Sequence, residues 1–153
     1  MREGRRSTSA FAAFAAALAV VAVALVLAGC AGRGDGPPPI VKGSSCARCG
    51  MAIEDLKFAT TREVGAKWRA YDSIECLVAD RAHLEGGDAW LTDYESKRLL
   101  PESAAWVLHG DFPSPMGGGL AAFADRAAAE SLAVATHGAV TRLAELPPAG
   151  STP

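Results

Sequence analysis

The sequence has no basic excess: fifteen lysines and arginines stand against seventeen aspartates and glutamates, a formal charge of −2. A nucleic-acid partner would want a basic stripe, so that class is excluded. Histidine is scarce. His83, His109 and His137 are nowhere paired at the spacing of a zinc site. No Ser/His/Asp set and no carboxylate pair with supporting spacing appears, so catalysis has no visible residues and an enzyme is not expected. The long crossovers of a doubly wound parallel sheet are also missing.

What is present begins with a secretion signal. Arg2, Arg5 and Arg6 precede an uncharged run from Ala10 to Leu27, which closes on Leu27-Ala28-Gly29-Cys30. The run is near the length of a membrane span, about 20 residues, but half of it is alanine. The small pair Ala28-Gly29 before a cysteine resembles a lipobox. Residues 1–29 are therefore expected to be a cleaved lipoprotein signal and Cys30 the lipid-accepting cysteine. An uncleaved amino-terminal anchor is the alternative; a twin-arginine reading of Arg5-Arg6 fits the following residues poorly. Either main reading exports the domain. The 50% hydrophobic fraction is inflated by this run, and the remainder is a slightly acidic chain of one-domain size. Ala31, rather than aspartate, follows the cysteine, so the expected destination is the periplasmic face of the outer membrane in a cell that has one.

Residues 30–40 contain three glycines and three consecutive prolines, a spacer that forms neither helix nor sheet. Residues 147–153 are expected to be a disordered tail, leaving a domain over 41–146. Phe58–Val64 and Lys67–Tyr71 flank Gly65-Ala66 and read as a hairpin. Asp72 is expected to cap a helix, with Glu75 reaching back in a capping box and Gly86-Gly87 as the stop. Strands are predicted over Ala89–Tyr94 and Ala104–His109, then near Leu120–Phe123. A helix over Asp125–Thr136 and a last strand over Ala139–Leu146 complete the chain. The order suggests an α+β fold made of two related ββαβ units in one compact domain. Two short echoes support duplication: Glu75-Cys76-Leu77 with Glu130-Ser131-Leu132, and Gly50-Met51 with Met116-Gly117.

The chemistry concentrates in Cys46-Ala47-Arg48-Cys49-Gly50-Met51. Two thiols and a thioether in a glycine-containing turn are soft donors that select copper(I), zinc or iron–sulfur centres. A thioether suits copper(I) better than zinc. Met116, in the Pro113–Gly119 loop, adds a second one where burial is not expected. Other readings stay open: a Cys46–Cys49 disulfide in an oxidising compartment, a zinc site completed by Cys76 and histidines, or a thioredoxin-like redox pair. Met51 could serve as core packing. Cys76, on the edge of a helix face, reads as a buried core cysteine.

A lipobox, Cys-x-x-Cys-Gly-Met, Tyr71-Asp72-Ser73-Ile74, Trp90-Leu91-Thr92-Asp93-Tyr94, Trp106-Val107 and Pro115-Met116-Gly117-Gly118 together resemble the NosL family of nitrous oxide reductase accessory lipoproteins. The resemblance runs from Ser45 to Leu146. It implies a fold of two ββαβ units and a copper(I) chaperone, not an enzyme. The implied partners are nitrous oxide reductase and its ABC-type maturation complex, with the membrane reached through the lipid on Cys30. The implied copper ligands are Cys49 and Met51, with Met116 as a third. Cys46 is expected to bind, share the site or act at hand-over, and His109 is a weaker candidate. The rivals are a membrane-tethered thiol-disulfide oxidoreductase and a structural lipoprotein holding a Cys46–Cys49 disulfide.

Overall fold

The computed structural model describes residues 36–146. The signal, Cys30, most of the spacer and the 147–153 tail lie outside them. Among the described residues, no helix is long and apolar enough to cross a membrane.

Threonines and alternating side chains favour extended backbone in β1 (Thr60–Val64), which turns at Gly65-Ala66 into β2 (Lys67–Tyr71). Helix α1 (Ile74–Arg81) follows, then β3 (Ala89–Thr92) and β4 (Leu99–Pro101). These strands form one antiparallel sheet in the order β2-β1-β3-β4. The second half repeats the path. Strands β5 (Trp106–His109) and β6 (Leu120–Phe123), helix α2 (Arg126–Ala135) and β7 (Ala139–Thr141) make an antiparallel sheet ordered β6-β5-β7. In each half the first strand is central, the second lies on one side and the strand after the helix on the other. The fold is α+β with two ββαβ units, as the sequence suggested.

Several expectations of local structure change. Ser73, not Asp72, caps α1: its backbone is extended and its hydroxyl accepts from the Cys76 amide at 3.3 Å. Glu75 makes no capping box and turns elsewhere. The helix also ends at Arg81, before Gly86-Gly87. The reason for a glycine at 86 is tertiary, since a Cβ there would come within 2.7 Å of the Glu63 carbonyl. Buried Arg62 reaches from β1 into this loop and donates to the carbonyls of Leu84, Gly86 and Gly87. Strand β4 has no counterpart among the predicted strands, and the last strand stops at Thr141 before a 3-10 turn over Leu143–Glu145.

Each helix covers its own sheet. Ile74, Cys76 and Leu77 of α1 pack with Tyr71, Leu91, Val107 and Ala122 in one core. Ala129 and Ala133 of α2 pack with Leu108, Ala121, Phe123 and Phe58 in the other. The residues that α2 buries against its sheet are alanines, Ala129 and Ala133. The two sheets meet at Asp93, which bridges to Ala122 in parallel; the Tyr94 amide donates to the Ala122 carbonyl at 2.7 Å. Asp93 is 5% exposed and accepts from the Ala124 amide at 2.8 Å and the Ser96 amide at 2.9 Å. Burial pushes its carboxyl up, but bonds from Ser96 and Ala124 outweigh that and hold it below the ordinary aspartate value.

Candidate metal centre

The sulfur-rich segment is a closed loop ahead of β1. The Cys46 amide donates to the Met51 carbonyl at 2.7 Å, the Gly50 amide to the Cys46 carbonyl at 2.9 Å, and Ser45 pairs with Ala52. A second set of bonds fastens the loop to β2: the Ala47 amide donates to the Ala70 carbonyl at 2.8 Å, and Arg69 donates to the Ala47 carbonyl at 3.0 Å. The consequence is positional. Cys46 and Cys49 lie at the end of β2, where the chain passes through Asp72 into α1.

There the sulfurs of Cys46, Cys49 and Cys76 and a carboxylate oxygen of Asp72 all lie within 4.8 Å of one another. Cys46, Asp72 and Cys76 are buried, at 2–3% exposure, and Cys49 is exposed. All three cysteines are free thiols. The pair sits in a turn and not at a helix N-terminus, the place where a thioredoxin-like pair gains its low thiol pKa. The Cys49 thiol donates to Oδ2 of Asp72 over 3.9 Å, while Oδ1 of Asp72 is buried without a partner. An orphaned buried carboxylate oxygen is costly in a core. It is accounted for where a cation is meant to meet it.

The electrostatics separate the thiols. Burial pushes the Cys46 thiol up, opposed by backbone amides of Cys49, Asp72 and Arg48 directed at its sulfur, an arrangement that favours a thiolate once a cation arrives. Cys76 is held well above the ordinary thiol range by burial first, then by the neighbouring Asp72 carboxylate and Cys46. Metal binding at these sulfurs must therefore displace protons.

Of the residues singled out in the sequence, Cys46 and Cys49 meet in the cluster. Met51 lies on the same loop and is 47% exposed, so core packing is not its role. Met116 is 43% exposed in the β5–β6 loop, which a hydrogen bond at 3.1 Å from the Ser114 hydroxyl to Oε1 of Glu75 ties to the first turn of α1. His83, His109 and His137 are outside the cluster. Sequence reasoning missed Asp72, assigned to capping, and read Cys76 as a core residue, with a metal role only in the zinc alternative. Cys76 is indeed in the core, and its sulfur also faces the donors. The usable signal was Ser73: with the cap moved one residue on, Asp72 is freed and Cys76 stands in the first turn beside it.

Comparison with known proteins gives a consistent picture. A family model described as NosL matches residues 37–150. Among solved structures, the copper chaperone NosL from Shewanella denitrificans is similar with a TM-score of 0.61 and 18% identity, covering 72% of this chain and 95% of that one. No curated protein matches. At 18% identity the structure speaks for the fold, and the family model speaks for descent over most of the length: the chain belongs to the NosL family.

Proposed function

We propose that this protein is a copper(I) metallochaperone, anchored through Cys30 on the periplasmic side of a bacterial membrane, that supplies copper for the copper–sulfur centre of nitrous oxide reductase. One observation carries the reading: three thiols and a carboxylate lie within 4.8 Å of one another, and the same loop as Cys46 and Cys49 carries the exposed thioether of Met51. Family membership, together with the likeness to a copper chaperone from Shewanella denitrificans, supports copper as the cargo. A carboxylate among thiols also suits zinc. The two exposed thioethers favour copper(I), since soft thioether sulfur is a copper(I) donor.

The division of burial suits a carrier. Cys46 and Cys76 are shielded from solvent and hold the metal, while Cys49 and the thioethers stand where an acceptor's ligands can replace them. Copper leaves by ligand exchange, each incoming donor taking the place of an exposed one before the buried thiolates let go. The expected acceptor is the reductase, reached with its ABC-type maturation complex, and the lipid confines the carrier close to that complex. The test is the copper content of nitrous oxide reductase from cells lacking this protein. The reductase should be copper-poor, restored by the wild-type chain and not by a Cys46→Ser/Cys49→Ser variant. A fully loaded reductase without the chain would overturn the delivery role.

A further inference from the structure

Glu75 is released from the capping role its position suggests and is spent on the methionine loop. Its Oε1 accepts from the Ser114 hydroxyl at 3.1 Å, and the Ser114 oxygen in turn accepts from the Gly119 amide at 2.9 Å. The contact is close along its length. A Cβ at Gly118 would stand 2.7 Å from Oε1 of Glu75 and 2.8 Å from its Cγ. Oε2 of Glu75 is buried with no partner. A helix that only needed an acidic residue near its N-terminus would leave that carboxylate in water. Here it is drawn inward at a desolvation cost. Among the described residues, this is the side-chain hydrogen bond that joins the Pro113–Gly119 loop to α1. Glu75 also directly precedes Cys76, so the loop is fastened to α1 one residue along the chain from a donor of the cluster.

We propose that Glu75 and Ser114 form a latch that positions the Met116 loop against the thiol cluster, so that the thioether of Met116 meets copper(I) without first ordering its loop. The proposal rests on the copper reading above. A thioether is an uncharged, weak donor, and its contribution depends on how much order must be imposed when it binds. A pre-placed loop removes that cost. Glu75 is thus a positioning residue that acts through Met116.

The test is a double-mutant cycle in the full-length reduced protein, read by competition for copper(I) with a chelator. Glu75→Ala should weaken binding roughly tenfold, the scale of coupling between interacting neighbours. In a Met116→Leu background the same substitution should change affinity little. Glu75→Gln retains an acceptor for Ser114 and should bind close to wild type. Equal losses from Glu75→Ala with and without Met116, or no loss at all, overturn the latch. A Gln variant as weak as Ala overturns it too, because charge would then be the cause. A second readout needs no copper. In the metal-free protein, Ser114→Ala and Glu75→Ala should speed hydrogen exchange at the Gly119 amide while leaving β5 protected. If wild type fails to bind copper(I) but this exchange responds, the copper reading fails and the latch stands. If exchange at Gly119 is unmoved, the latch is wrong.

Discussion

At the scale of single residues, the donors that touch in sequence were readable and those that touch only in the fold were not. Cys46, Cys49 and Met51 lie within six residues, so their shared chemistry follows from donor type and spacing. Asp72 and Cys76 join them because β2 ends where the loop is fastened to it and because Ser73 takes the cap. Neither fact is visible as a motif. The residues should also separate by role. Cys46→Ser and Cys49→Ser are each expected to lower copper(I) affinity by more than about a hundredfold, beyond the range usual for groups that only orient a ligand. Asp72→Asn, which keeps the shape but removes the charge, should fall within that lesser range, about 10–100-fold. Chelator competition on the three variants checks the order, and an Asp72 effect as large as that of Cys49 would make Asp72 a principal ligand.

At the scale of elements, segments marked by turn residues or apolar patterning were legible, down to the four-residue strands β3, β5 and β6, and β4 was not. Both helices and the β1–β2 hairpin follow from capping residues, apolar spacing and turn chemistry. Strand β4 is Leu99-Leu100-Pro101, too short to alternate and ending on a proline, so only its pairing with β3 makes it a strand. Ser73→Ala removes the α1 cap and should cost about 1 kcal/mol in denaturant unfolding. Asp93→Asn should cost about 2 kcal/mol at neutral pH, as expected for losing bonds to a charged acceptor. The pH dependence has a definite sign. Folding lowers the Asp93 pKa, so its stabilisation is full above the unfolded value, about 3.9. It is lost as pH falls through the still lower folded value. The gap between wild type and Asp93→Asn should therefore be constant from about pH 5 to 7, a range that lies wholly above the unfolded pKa, and should shrink in acid. A gap that widens in acid would contradict the assignment.

At the scale of the whole molecule, the duplication is real in topology, but the sequence echoes used to find it do not align with it. Ser73 and Asp125 cap corresponding helices, which makes Glu75 the counterpart of Ala127 and not of Glu130. Met51 precedes the first strand of its unit, whereas Met116 lies between the first two strands of the other. The true register is more informative: Asp72 corresponds to Ala124 and Cys76 to Ala128, so one unit carries donors where the other carries alanine. The second unit contributes the Met116 loop instead. The proposed anchor has its own check, since cells fed labelled palmitate should label the wild-type chain and leave Cys30→Ser unlabelled; equal labelling of the two would contradict the lipid reading. The claim on which all else depends is that the cluster holds copper(I). Competitive titration of the purified, reduced protein with copper(I) against a chelator of known affinity tests it most directly. The protein should withdraw one copper(I) per chain and lose that ability when Cys49 and Met51 are both replaced. Failure to withdraw copper from the chelator, or undiminished binding in the Cys49→Ser/Met51→Leu variant, would contradict it.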